Sequence, residues 1–363
     1  MRHKPPKLYN TVDGRLLKQQ MRESAEKRET ISFYKYIHIQ NPQEFRDLLF
    51  SEWAKLNVFG RVHVAKEGIN AQISIPEENS EAFKKSLDYI PFLNGVRLNH
   101  AVDDDGKSFF KLKIKVRDKI LADGLHDETF DVTNVGKHLS AKEFNLLTDS
   151  PETILIDMRN HYESEVGHFE GAVLPDADTF REEVKMVEEM LKGKEESNIV
   201  MYCTGGIRCE KASAWFKHMG FRHVHQLEGG IISYARQVEA QRLRNKFRGK
   251  NFVFDERLGE KISDEIISRC HQCGRHSDRH TNCVNEKCHL LFIQCDECAA
   301  KNEGCCSAEC REFIRLPEEK QRELKKGVAK RNVLRKTNKR NHHLRATRHE
   351  PSLPSPITPH LPS

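Results

Sequence analysis

The sequence predicts a multidomain α+β and α/β chain: an α+β domain, an α/β domain, and a cysteine-rich segment expected to bind metal. Three observations carry this. Between residues 30 and 117, strand-like and amphipathic helical runs follow one another in the order βαββαβ. From Thr153 the pattern changes to short apolar strands alternating with helices, the mark of a parallel sheet. Nine of the eleven cysteines then fall between Cys270 and Cys310. A length of 363 residues accommodates two or three such domains.

Residues 1–29 read as a basic, flexible N-terminus. ISFYKYI (31–37), rich in β-branched and aromatic residues, is the first strand. PQEFRDLLFSEWAKLN (42–57) places Phe45, Leu48, Leu49 and Trp53 at helical spacing. GRVHVAKEGINAQISI (60–75) reads as two strands joined by a turn at Glu67-Gly68. ENSEAFKKSLDYI (78–90) is the second helix and FFKLKIKVR (109–117) the fourth strand. The set fits a ferredoxin-like split βαβ sandwich over 30–117. In its last strand, Lys111, Lys113, Lys115, Arg117 and Lys119 recur at every second position. Period two puts them on one face, with Leu112, Ile114 and Val116 toward the core. Such a row suits nucleic-acid phosphates, a solvated sheet face being the plainer alternative. Arg61, His63 and Lys66 would extend the patch from a neighbouring strand.

Residues 118–150 read as a linker to an α/β domain over 151–245. TILIDMR (153–159) is a strand, DTFREEVKMVEEMLK (178–192) a helix, and NIVMYC (198–203) a buried parallel strand. CEKASAWFKHMG (209–220) is a helix closed by Gly220, and FRHVHQLEGG (221–230) supplies a strand and turn. Between buried strand and helix lies Cys203-Thr204-Gly205-Gly206-Ile207-Arg208. The two glycines let the backbone curl so that successive N–H groups point inward at a helix N-terminus, an anion nest. A sulfur at its centre is stabilised as thiolate. Cys203 is therefore the candidate nucleophile, Thr204, Gly205, Gly206 and Ile207 the anion-binding loop, and Arg208 the group that holds an oxyanion or braces the loop. A structural cysteine before an ordinary turn is the alternative, and strand, Gly-Gly, arginine and helix in register weigh against it. Cys209 either resolves an oxidised Cys203 or packs as a small residue below the loop.

The segment 265–315 holds Cys270, Cys273, Cys283, Cys288, Cys295, Cys298, Cys305, Cys306 and Cys310, with His271, His276, His280 and His289 as spare ligands. Two C-x-x-C knuckles with further cysteines nearby can wrap one or two tetrahedral Zn²⁺ ions, using a subset of these thiols. So little apolar periodicity needs such a staple, and metal is favoured over a disulfide or free-thiol cluster. Residues 317–363 read as a basic, mostly disordered tail.

Charge follows this division. The formal net charge is +6, but residues 320–363 carry +10 and residues 1–28 carry +5, leaving the body at −9. Basic ends suggest arms for a polyanion, although solvated tails have the same composition. No apolar run approaches the roughly 18 residues of a membrane span. The N-terminus lacks a secretion signal's apolar stretch, so a cytoplasmic location is expected.

Asp157-Met158-Arg159, Glu163, Gly167-His168-Phe169-Glu170-Gly171-Ala172 and Leu227-Glu228-Gly229-Gly230 resemble the signatures of the rhodanese family. The resemblance implies a covalent adduct on Cys203, with Asp157 and Arg159 as scaffold. It also disfavours phosphatase activity, because the loop has the six positions of sulfurtransferases. Val64-Ala65-Lys66-Glu67-Gly68-Ile69-Asn70, the loop through Cys209-Glu210, and CHLLFIQCDEC (288–298) together resemble the bacterial tRNA uridine-34 hydroxylases over about residues 30–315. This second resemblance implies an acylphosphatase-like first domain and oxygen-dependent conversion of the wobble uridine to 5-hydroxyuridine. Molecular oxygen would be the co-substrate and the tRNA anticodon loop the partner. A persulfide sulfurtransferase is the alternative. The sequence shows no flavin, haem or 2-His-1-carboxylate iron signature.

Overall fold

The computed structural model describes residues 8, 10, 12–127 and 129–325. These fall into two units, one ending at Ser268 and one beginning at Arg269. The tail beyond 325 lies outside the described residues.

The basic N-terminus contains a helix, α1 (Gly14–Glu23), whose N-cap Asp13 accepts from the Arg15 N–H and whose Met21 is buried. The first domain then runs β1 (Arg28–Tyr36), α2 (Pro42–Lys55), β2 (Phe59–Ala65), β3 (Gly68–Pro76), α3 (Ser80–Asp88), β4 (Asn99–His100) and β5 (Leu112–Val116). Asn41 caps α2 and Pro42 starts it. Phe45, Leu49 and Trp53 recur every fourth residue and are buried, so they form one stripe. Leu48, expected to join them, lies off that stripe and is 50% exposed. Trp53 packs against Phe33 and Phe83, which joins both helices to one sheet face.

The sheet order is β4-β1-β3-β2-β5. The first four strands, all antiparallel to their neighbours, give the split βαβ arrangement. The fourth strand is therefore the two-residue β4, not the run at 109–117. β5 is an additional strand parallel to β2 at the opposite edge. Its position on that edge leaves Val116 exposed rather than in the core.

The α/β domain begins inside the expected linker. β6 (Lys137–Leu139) and α4 (Ala141–Leu147) precede β7 (Ile154–Asp157), α5 (His161–Ser164), β8 (Gly167–Phe169) and α6 (Phe180–Leu191). β9 (Ile199–Tyr202), α7 (Ile207–His218), β10 (Val224–Leu227) and α8 (Gly230–Gln241) complete it. The sheet order β6-β10-β9-β7 is parallel throughout, with every residue of β9 buried. A return segment, β11 (Phe247–Asn251), pairs with β8 and with β12 (Glu260–Lys261).

In the second unit, β13 (His280–Asn282) and β14 (Leu291–Ile293) form a hairpin, followed by α9 (Asp296–Lys301), α10 (Ala308–Ile314) and α11 (Glu318–Lys325). Cysteines make up most of its apolar cluster. Among the described residues no helix is long and apolar enough to cross a membrane.

Candidate active site

The loop leaves β9 at Cys203 and enters α7 at Ile207. Gly206 at the helix N-cap has φ 103°, a left-handed conformation that opens the backbone around the sulfur. Its N–H donates to Cys203 Sγ at 3.2 Å. From below, the Ile231 and Ile232 N–H groups of α8 donate to the Cys203 and Thr204 carbonyls. Gly230 makes this approach feasible, because a Cβ there would lie 2.4 Å from the Cys203 carbonyl oxygen.

Cys203 is 1% exposed. Burial opposes its ionisation, but the Cys209 thiol, the Arg208 charge and the N–H groups of Cys209 and Gly206 outweigh burial and lower it from 9.0 to about 6. At neutral pH it is a thiolate. Cys209 moves the other way: burial, then its contact with Cys203, pushes it well up. The pair shares one proton, which Cys209 keeps and donates toward Cys203. Arg208 makes a bidentate pair with Glu163 at 2.6 and 2.8 Å and reaches Thr204 Oγ1 at 3.3 Å. It braces the loop while its charge reaches the sulfur. Asp157 accepts from Arg159 and from the Tyr202 hydroxyl in a fully buried network, as scaffold residues would.

Sequence reasoning missed three contributors. Glu183 of α6 is fully buried with both carboxylate oxygens unpartnered, and burial pushes it well up, beside the α6 residues that pack into the apolar core holding Cys203. Asn99 and Tyr34 come from the first domain: Asn99 Nδ2 donates to the Gly205 carbonyl at 3.1 Å, and the Tyr34 hydroxyl donates to Glu210 at 3.2 Å. The alternation of Ser32, Tyr34 and Tyr36 opposite Ile31 and Phe33 was the available signal.

Tyr34 belongs to the sheet face opposite the apolar core, and this face connects the loop to the basic residues. Strand register aligns Asn99, Ser32, Gln72, Arg61 and Lys113 in one row, and Tyr34, Asn70, His63 and Lys115 in the next. Lys111, Lys113 and Lys115 share this parity, and Arg117 follows just beyond the strand. Burial, then Arg117, Lys115, Arg61 and Lys113, lowers His63, so these side chains form one positive field. Lys119 does not join the stripe. The strand has ended, and Lys119 Nζ binds Asp123 at 2.7 Å and the Leu125 carbonyl at 2.6 Å. Lys66 is exposed at the β2–β3 turn.

The second unit sorts the cysteines into two quartets, Cys270/Cys273/Cys295/Cys298 and Cys283/Cys288/Cys306/Cys310, each with all sulfurs within 4.8 Å of one another. Cys305 and the four histidines stand outside both quartets.

A chain with this parallel sheet and cysteine loop is a rhodanese-domain protein, and the rhodanese-like domain model matches residues 140–237. An "UPF0176 acylphosphatase like domain" matches residues 28–120 and a "Rhodanase C-terminal" domain matches residues 248–311. Three relatives bear the name tRNA uridine(34) hydroxylase. That of Photorhabdus laumondii is 55% identical over 96% of this chain and 99% of its own. That of Leptospira interrogans is 56% identical over 88% of this chain and 87% of its own. That of Yersinia pestis is 54% identical over 96% and 98%. The chain belongs to the tRNA uridine(34) hydroxylase family.

Proposed function

We infer that the protein hydroxylates C5 of the wobble uridine in tRNA anticodons, with Cys203 as the nucleophile. The observation that carries this reading is a buried cysteine held as thiolate beside a polar sheet face that ends in basic residues. Phosphates of the anticodon loop lie along Lys111, Lys113, Lys115, Arg117 and Arg61, and the splayed-out uridine is presented to the Cys203 loop. Addition of the thiolate to C6 of uracil turns C5 into a nucleophilic, enolate-like carbon, which is the position to be oxygenated. Molecular oxygen is the co-substrate. Arg208, fixed by Glu163, keeps the loop amides aimed at the sulfur. The cytoplasm, where tRNA is used, is the compartment this reading implies.

Each quartet fits Zn²⁺. Tetrahedral Zn–S bonds of about 2.3 Å place sulfurs about 3.8 Å apart. Cys273–Cys295 and Cys288–Cys306 are each 3.6 Å apart, and Cys306–Cys310 is 3.8 Å apart. Backbone N–H groups of Cys295, Gln272 and Cys273 donate to Cys270, and that of Cys306 donates to Cys283, as metal-bound thiolates require. With four protein ligands apiece, both sites are structural.

Nucleoside mass spectrometry on tRNA from cells lacking the gene tests the reading. Loss of 5-hydroxyuridine derivatives, restored by the wild-type chain and not by Cys203→Ala, is the expected result. Unchanged 5-hydroxyuridine with lost thionucleosides would establish the sulfurtransferase instead.

A further inference from the structure

In the route through a C6 thioether, replacing C5–H by C5–OH requires one proton to leave C5. None of the groups around the sulfur can receive it: Cys209 already holds its proton, and Arg208 is a cation paired with Glu163. The opposite wall offers a different group. Tyr34 projects from β1 against the loop, so closely that a Cβ on Gly206 would lie 2.8 Å from its hydroxyl. Burial, then Glu210 and the Cys203 sulfur, pushes the phenol well up, so Tyr34 keeps its hydroxyl proton available for donation. It donates to Glu210 Oε2 at 3.2 Å, and His138 Nε2 lies 2.9 Å from the same oxygen. The His138 side chain is 39% exposed and reaches solvent, with the Arg97–Glu228 ion pair facing it.

We propose that Tyr34, Glu210 and His138 form a proton path from the Cys203 loop to solvent, with Tyr34 receiving the C5 proton as Cys203 leaves the modified base. This rests on the reading of Cys203 as a covalent nucleophile. The step is a β-elimination from the C5-hydroxylated, C6-thioether adduct. The C5–H bond breaks and its electron pair forms the C5=C6 double bond. The C6–S bond breaks and its pair returns to Cys203 as thiolate. The proton passes to the Tyr34 oxygen while the Tyr34 hydroxyl proton moves to Glu210, and His138 carries it out. No electron is gained or lost. The N-terminal domain thereby contributes to turnover as well as to RNA binding.

The test uses the full chain, Tyr34→Phe and Glu210→Gln, and tRNA transcripts carrying U34. Alkylation of Cys203 by iodoacetamide at a wild-type rate verifies an intact loop. The path predicts that kcat falls by about a hundred-fold, the usual worth of a positioned acid–base group, with KM for tRNA within about two-fold. It also predicts a covalent protein–tRNA adduct on denaturing gels that builds up beyond the wild-type level and disappears with Cys203→Ala. A wild-type kcat in both variants, or a reduced kcat without adduct, overturns the path while leaving Cys203 in place. Hydroxylation by Cys203→Ala overturns the covalent reading itself.

Discussion

The α/β domain and the second unit use cysteine in opposite ways. Cys203 and Cys209 sit inside an apolar cluster with Ile156, Val187, Met201 and Phe216, which would pack without them. In the second unit, Cys283, Cys288 and Cys310 of one quartet, together with Cys305, make up most of the apolar cluster. In the first region one sulfur is singled out as an anion because amide groups and an arginine converge on it. In the second, each set of four sulfurs lies within 4.8 Å of one another, close enough to share one metal ion. A cysteine in a packed core is thus available for chemistry, and a cysteine that replaces a core is committed to holding it.

The largest expected effect comes from breaking the first arrangement. Cys203→Ala should lower 5-hydroxyuridine formation by at least about a thousand-fold with cooperative unfolding of the protein retained, measured by nucleoside analysis and thermal unfolding. The converse applies to the second unit. Elemental analysis of wild-type protein should give about two zinc per chain. Cys270→Ala or Cys283→Ala should each remove one zinc and destabilise residues 269–325 by several kcal/mol, on the order of 5, with the Cys203 alkylation rate retained. Loss of Cys203 reactivity in those variants would erase the proposed division.

A moderate effect concerns pH. Cys203 ionises near pH 6 in the folded protein and near 9.0 when unfolded. The folded state therefore holds fewer protons between these values, and stability from this thiol is complete above pH 9, declines as pH falls and is gone below about 6. Iodoacetamide alkylation should follow the same midpoint near 6, and Glu163→Gln, which loosens Arg208, should move the midpoint upward. The smallest effect involves neither cysteine region. Lys113→Ala or Lys115→Ala should weaken tRNA binding about equally for all tRNA sequences and reduce the salt dependence by about one counterion each.

The loop was legible because its six residues are contiguous and each glycine, cysteine and arginine has a conformational or electrostatic reason to be there. Tyr34, Asn99 and Glu183 were not, because they reach the loop from strands and a helix far away in sequence, and their own segments show only ordinary amphipathic patterns. The fourth strand was misplaced for a related reason. Asn99–His100 is too short to show a period of two, whereas the lysine alternation at 111–117 shows it strongly on a strand that merely extends the edge. The cysteine segment declared its composition but not its pairing, since which sulfurs meet depends on the β13–β14 hairpin folding back.

Lys211 lies on the helix that follows the loop and is 2% exposed. Its ammonium group binds Glu67, from the β2–β3 turn, at 2.7 Å and Asp123, from the segment after β5, at 2.5 Å. The charge that Lys211 needs is encoded far upstream of Cys203. A fragment beginning near residue 130 would therefore carry a complete rhodanese motif and an ammonium ion stripped of both counter-charges. In this chain the sulfur-bearing domain is not a portable module: it is tied to its N-terminal neighbour at the level of a single ion, and grafting it elsewhere would require redesigning position 211 first.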